Sequence, residues 1–364
     1  MKVKLGDYVL MVQEREVLKK VDTSKYVSTE NILADRNGVK FPANTIPLSK
    51  TITTYKKDDI LISNIRPYFK KIWKAEFDGP KSNDVIAFRT KDSRLLQDYL
   101  YVVLQSDNFF NYVTNTAKGT KMPRGDKKAI INYEFELPNI QLQRKISHTI
   151  LVLEKKIRLN NQINDNLDAL LTNIFKKYMI NDGFEKSNLT QIANYKNGLA
   201  MQKYRPNSNE ESLPVLKIKE LNQGNTDDSS DRCSANLDNS VIVNTGDIIF
   251  SWSGTLLVKN WTGDKAGLNQ HLFKVTSNKY PAWFIYEWTK YHLLRFQAIA
   301  AGKATTMGHI KRSDLKSSLV YIPSQLFLAK MDSQLAPIYS QRLNLIKENQ
   351  QLSKLKQTLL KKYF

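Results

Sequence analysis

The stretch Asn64-Ile65-Arg66-Pro67-Tyr68-Phe69-Lys70-Lys71 gathers an amide, a guanidinium, two aromatic rings and two ammonium groups into one turn leaving an apolar run. Arg and Asn are the side chains that pair bidentately with guanine and adenine edges, and Lys suits phosphate, so the turn carries contact chemistry for nucleic acid. Asn64, Arg66, Tyr68, Lys70 and Lys71 are therefore candidate DNA-binding residues, with Arg66 and Lys70 leading. Taken alone, Tyr68 and Phe69 read as half in the core.

A second stretch, Lys118-Gly119-Thr120-Lys121-Met122-Pro123-Arg124-Gly125, places three cations beside two glycines that let backbone approach a phosphate. Lys118, Thr120, Lys121 and Arg124 are its candidates. A counterpart recurs at Lys303-Ala304-Thr305-Thr306-Met307-Gly308-His309-Ile310-Lys311, which adds Thr305, Thr306, His309 and Lys311. In the same half, Gln202-Lys203-Tyr204, Trp252-Ser253-Gly254-Thr255 and Asn269-Gln270-His271 supply polar readers of a different kind. Lys81, Ser82 and Asn83 in the first half, and Lys217 and Lys219 in the second, complete the candidate set. Different side chains in the two halves predict that each half reads different bases.

Catalytic constellations are missing. His148, His271, His292 and His309 show no metal-ligand spacing, there is no HExxH, and no Gly-rich turn follows a strand to cradle a phosphate or dinucleotide. Asn64 to Tyr68 faintly echoes the Asn-Pro-Pro-Tyr/Phe of adenine methyltransferases, but the first Pro is lacking and no Gly-rich cofactor loop precedes it. The single Cys233 excludes an intramolecular disulfide framework; its Ser/Asn/Asp-rich surroundings read as a loop and argue against a thiol nucleophile. No catalytic residue, no metal site and no cofactor is expected on this chain.

Composition points the same way. Lys and Arg outnumber Asp and Glu by 55 to 35, a formal charge of +20 that attracts polyanions, of which nucleic acid is the commonest partner for such a chain. At 364 residues, 41% of them hydrophobic, the chain exceeds one ordinary core and predicts two or more domains. No apolar run reaches bilayer-spanning length, and the start lacks the apolar core of a signal peptide, so a cytoplasmic location without membrane contact is expected.

The elements that must position these residues repeat. Asp58-Asp59-Ile60-Leu61-Ile62-Ser63 reads as a turn feeding a buried strand and is answered by Gly246-Asp247-Ile248-Ile249-Phe250-Ser251; Leu137-Pro138 is answered by Ile322-Pro323. Between Gln141 and Tyr178, Ile146, Ile150, Leu153, Ile157, Leu167, Leu171 and Ile174 recur at steps of four and three, a heptad seam interrupted by Asn160 and Asn164. A mate from Ser324 to Tyr363 carries Met331, Leu335, Ile338, Leu345, Leu352 and Leu359, with Asn349 at the position of Asn164. Asn160, Asn164 and Asn349 are expected to fix the register of the pair, and Pro337 to kink or break the second helix.

The predicted architecture is α+β. Residues 1–138 and 182–323 form two globular domains, followed by long helices at 139–181 and 324–364 that pack as an antiparallel coiled coil and relate the domains by a pseudo-twofold axis. Lys155, Lys156, Arg158, Lys176 and Lys177 on the outer helix faces are candidate partner-docking residues.

The doubled plan resembles the specificity subunits of type I restriction-modification systems. The phrases that carry the resemblance are Tyr26-Val27-Ser28-Thr29-Glu30-Asn31-Ile32, Ile62 to Lys71 and Ser82-Asn83-Asp84. The resemblance implies two target recognition domains, each reading one half of a split, asymmetric site in double-stranded DNA, with the paired helices setting the gap. It implies two methyltransferase (modification) subunits and a translocase/nuclease (restriction) subunit as partners. S-adenosylmethionine, ATP and Mg are then expected on those partners, with none on this chain, a non-catalytic subunit. The alternative is a non-catalytic basic scaffold that recruits partners to DNA without sequence specificity.

Overall fold

The computed structural model describes residues 1–17, 22, 24–44, 51–179, 183–227, 229–302 and 308–364. The chain divides into two compact units: Met1–Lys155 with Lys354–Phe364, and Lys156–Ser353. In the first unit, a four-stranded antiparallel sheet runs in the order Val9–Val12, Val85–Thr90, Ile60–Ser63, Ile72–Lys74. Its side chains alternate faces, as strand geometry requires. Ile60, Ile62, Ile72, Ile86 and Phe88 pack under helices Gln97–Leu104 and Asp107–Asn115. Leu61, Trp73, Val85 and Ala87 face a second cluster with Val27, Ile32 and Tyr55. Both faces are covered, so Ile60–Ser63 is an unbroken buried run, as read from the sequence. A three-stranded sheet (Arg15–Val17, Thr51–Tyr55, Gly79–Lys81) and the pair Lys2–Lys4 with Glu134–Glu136 complete the unit.

The second unit repeats the plan. Strands Asn194–Asn197, Leu272–Thr276, Ile248–Ser251 and Val258–Asn260 form an antiparallel sheet in the same order, under helices Ala282–Tyr291 and Leu293–Ala301. Glu185–Asn188 pairs with Leu319–Ile322 as Lys2–Lys4 does with Glu134–Glu136. The turn entering the central strand is conserved in geometry: Asp58 at φ 72° and Gly246 at φ 97° both take the left-handed conformation. Asp59 and Asp247 then each accept a bond from the backbone N–H three residues earlier. The second sheet here is larger, with Arg232–Ser234, Ser212–Leu216, Ala266–Leu268 and Ile242–Val243, including one parallel pairing. Cys233 lies on this sheet rather than in a loop; it is fully buried, its thiol faces the Leu213 carbonyl, and burial pushes its pKa up. A buried thiol held protonated is no nucleophile.

Each domain leads into a long helix, Ile140–Met179 and Gln325–Tyr363. Within the second unit, Tyr178 meets Gln334, Asp168 meets Arg342, and Asn160 meets Asn349, an antiparallel progression. Within the first unit, Lys356 meets Glu154, and Leu360 is buried in the domain core. Asn160 is fully buried and donates to Asn349 Oδ1 at 2.9 Å and Glu348 at 2.7 Å, while Asn349 donates to Asn161 at 2.8 Å. Asn164 Oδ1 is buried without a hydrogen-bond partner, as is Asn160 Oδ1. The second helix is not broken at Pro337 but continues through it. Met331, Leu335 and Tyr339 are buried in the core of the unit on either side, and this burial outweighs a cost of about 3 kcal/mol for an interior proline.

Candidate nucleic-acid interface

In the first unit, three loops meet at one end of the four-stranded sheet. The Asn64 N–H donates to the Asp84 carbonyl at 2.8 Å, the Arg66 N–H to Pro123 at 2.8 Å, and the Gly125 N–H to Asn64 at 3.0 Å; Ile65 and Lys118 both bridge Arg124. The turn 64–71, the segment 82–84 and the loop 118–125, singled out separately in the sequence, thus form one surface. Arg66, Asn83, Thr120 and Lys121 are exposed on it, and Ser82 is half-buried with its Oγ accepting from the Asp84 N–H. Lys118 and Arg124 are also exposed, paired with Asp126 at 2.6 Å and Asp84 at 3.3 Å. Tyr68 and Phe69 are partly exposed, at 46% and 37%, and belong to neither buried cluster of this unit's sheet, while buried Pro67 anchors the turn.

Other candidates lie inward. Lys81 is 4% exposed, donates to the Val85 carbonyl at 2.9 Å, and has its pKa pushed down to about 8 by burial and by Lys127; an ammonium so enclosed is a structural group, not a phosphate contact. Asn64 is buried beneath Gly125, where an added Cβ would lie 2.9 Å from its Oδ1, which has no hydrogen-bond partner; its backbone N–H and carbonyl join the neighbouring loops. Lys71 donates to the Thr29 carbonyl, and burial lowers its pKa. Lys70 pairs with Asp107 at 2.6 Å, beside Arg36 at 2.5 Å; burial alone would raise the Asp107 pKa, but bonds from Lys70 and Arg36 hold it below the usual carboxylate range.

The second unit builds the same junction from different side chains. The Trp252 N–H donates to the His271 carbonyl at 3.3 Å, Gly254 to Gly308 at 2.9 Å, and Ile310 to Trp252 at 3.0 Å; Ser253 bridges His309, and Leu199 bridges Asn269. Trp252 donates through Nε1 to Asn197 at 3.0 Å, and its ring lies 5.9 Å from that of His271 and 6.3 Å from that of His309. Ser253 and Asn269 are buried; Asn269 Oδ1 accepts from the His271 N–H, so both shape the junction. Thr255, Lys203, Tyr204 and Lys311 are exposed. A groove of about 600 Å³ opens beside the junction, lined by Gln202, Lys217, Asn269, Gln270 and His271, with Arg205, Asp231 and Arg232. His271 Nδ1 is buried without a partner, and Lys217 is paired with Asp231. Lys219, also exposed, lies 3.7 Å from Asp227. Thr305 and Thr306 lie outside the described residues.

Four residues of these surfaces escaped the sequence reading. Arg205 follows Gln202-Lys203-Tyr204 directly and was legible by extending that run. Arg36, Asp107 and Arg232 carried no local signal, because their roles depend on segments far apart in sequence. Among the described residues, no group of three His, Cys, Asp or Glu is placed to hold a metal, and no helix is long and apolar enough to cross a membrane.

Residues 10–169 and 181–351 each match a family model described as a type I restriction modification DNA specificity domain. Among curated relatives, a type I restriction enzyme MjaIX specificity subunit from Methanocaldococcus jannaschii is 24% identical over 299 residues, covering 74% of this chain and 68% of that one. A type I restriction enzyme EcoBI specificity subunit from Escherichia coli is 25% identical over 204 residues, 54% of this chain and 40% of that protein. The crystal structure of a type I restriction-modification S subunit from M. genitalium shares the fold, with a TM-score of 0.59 at 14% identity over 100% of this chain and 96% of that one.

Proposed function

The chain belongs to the family of type I restriction modification DNA specificity domains, and we propose that it is the subunit that selects the DNA sequence for such a complex. Each domain reads one half of a bipartite, asymmetric site in double-stranded DNA. The helices set the spacing between the halves and dock two methyltransferase subunits; a restriction subunit completes the assembly. Methyl donor, ATP and Mg belong to those partners, and this chain performs no chemistry. The observation that carries the reading is the repeated junction: in both units, three loops distant in sequence are bonded together at the same end of the corresponding sheet, with different side chains on each. Arg66, Lys118, Lys121 and Arg124 make the first surface cationic. Trp252, Gln270, His271 and the groove make the second a polar reader, as direct readout of base edges requires. Each helix spans about 60 Å at 1.5 Å per residue, a reach suited to holding two half-sites apart.

Binding measured against salt tests the reading. With six to ten phosphate contacts, affinity for a cognate duplex falls by about 10³ to 10⁵ between 50 and 200 mM salt. A flat salt response refutes it.

A further inference from the structure

The turn of the first unit contains more than cations. It joins strands Ile60–Ser63 and Ile72–Lys74 through residues 64–71, whereas the matching turn of the second unit is shorter, residues 252–257, and carries a buried Leu256. The longer first turn carries Tyr68 and Phe69 as an exposed pair, with ring centroids 4.7 Å apart. Two aromatic rings exposed side by side on one turn form a small contiguous patch of the kind that binding partners use.

The backbone beneath them is held in an unusual form. Arg66 and Lys70 sit at φ 50° and 51°, and Asp35 and Arg36, in a facing turn, at φ 54° and 63°. Four non-glycine residues in the left-handed region within two touching turns is a concentration of strain, the kind that persists where surrounding structure over-determines it. At the place of Arg66 the second unit has Gly254, at φ 65°, the residue that this conformation favours. The facing turns are bonded: the Asp35 N–H donates to the Phe69 carbonyl at 2.9 Å and the Arg36 N–H to Lys70 at 3.0 Å. Asp107 clamps both through Lys70 and Arg36, and Arg36 also lies over the Phe110 ring at 5.6 Å. The aromatic pair is therefore displayed on a rigid base. Arg66, next to the pair in the chain, and Lys121, on the loop bonded to Arg66 through Pro123, are exposed and without an ion pair among the described residues, so the surroundings suit a polyanion rather than an apolar protein face.

We propose that Tyr68 and Phe69 form a stacking wedge that opens one base step of the duplex in the half-site bound by the first unit. Aromatic or apolar side chains entering between bases unstack and kink DNA, and stacking tolerates any base because each has a π-face. The wedge makes recognition depend on how easily that step deforms, with pyrimidine–purine steps favoured. Asp107 is its positioning residue. The proposal rests on the reading of the chain as a DNA-sequence-selecting subunit.

The test uses the full chain assembled with its modification subunits and a duplex carrying the motif that methylation sequencing identifies. 2-Aminopurine is placed at each position of both half-sites in turn. The expected result is a fluorescence rise at one step of the half-site bound by the first unit, distinct from the rise that the methyltransferase subunits cause by flipping their own target adenines. Tyr68→Ala with Phe69→Ala abolishes that rise and weakens binding about tenfold, whereas Tyr68→Phe retains both. Both side chains are exposed, and an unchanged circular dichroism melt of the variants establishes that they fold. Motif-selective binding with no rise beyond the flipped target adenines overturns the wedge and leaves the functional reading standing. Binding without motif selectivity overturns both. A double variant that keeps the rise but no longer retains the modification subunits shows a protein-docking patch instead, which also overturns the wedge.

Discussion

Glu287 offers a quantitative check on how the second unit is built. It lies on Ala282–Tyr291, 1% exposed, at the centre of a charged cluster that ties this helix to the long pair. Asp168 pairs with Lys290 and, at 2.8 Å, with Arg342, while Lys290 Nζ stands 4.0 Å from Glu287 Oε1, which accepts no hydrogen bond. Burial pushes the Glu287 carboxyl up from 4.5 to about 7, with Lys290 opposing and Asp168 assisting the rise. The folded state thus holds the proton more tightly than the unfolded chain. This group costs nothing below about pH 4.5, and its penalty grows as pH rises and is complete above about 7. At about 1.4 kcal/mol per pH unit, the full penalty is about 3 kcal/mol. Glu287→Gln removes the charge and keeps the shape, so it should stabilise the protein by about 1–3 kcal/mol at pH 8 and by little at pH 5. Denaturant unfolding of the full chain and the variant, followed at both pH values through the buried tryptophans Trp261, Trp283 and Trp288 of this unit, measures the difference. A variant less stable than the parent at pH 8 refutes the reasoning, since it would mean that the carboxylate is a net favourable partner of Lys290 and Arg342.

The helix register and the cation surface make two further predictions. Asn160→Leu alone should lower stability by about 1–3 kcal/mol by leaving Asn349 Oδ1 without its donor, whereas Asn160→Leu with Asn349→Leu should recover or exceed the parent value, as a thermal double-mutant cycle would read. Lys121→Gln should lessen the slope of log affinity against log salt by about 0.9, the share of one phosphate contact, and Lys81→Met should leave the slope unchanged; equal effects of the two would contradict their placement.

Much of this architecture was legible in the sequence because it depends on local period and on repetition. The strand Ile60–Ser63 and its echo Ile248–Ser251 are buried runs behind a turn signal, and the two long helices follow from four-and-three spacing. Positions that depend on what lies across a sheet were not legible. Lys81 looks like any surface cation until Gly79–Lys81 pairs with Thr53–Tyr55 and turns its stem inward. Cys233 sits among polar residues, yet its strand faces Leu213 and Gly267. Tyr68 and Phe69 read as half in the core because aromatic residues usually are buried; their partial exposure belongs to a turn fixed by non-local hydrogen bonds to the facing turn at Asp35 and Arg36, which no local pattern shows. Pro337 was a local signal overruled by the packing of Met331, Leu335 and Tyr339. The candidate site was legible as separate loops, and the backbone bonds that unite them were not, since those bonds join residues such as Arg66 and Pro123 across the fold.

The central claim is that each domain selects its own half of a bipartite DNA site. Methylation sequencing of a host expressing this chain with its modification subunits, alongside a chimera in which residues 1–138 come from a relative of different specificity, tests it most directly. The account predicts a split modified motif in which the exchange alters one half and leaves the other half and the spacing intact. A motif altered in both halves, or unaltered by the exchange, would contradict it.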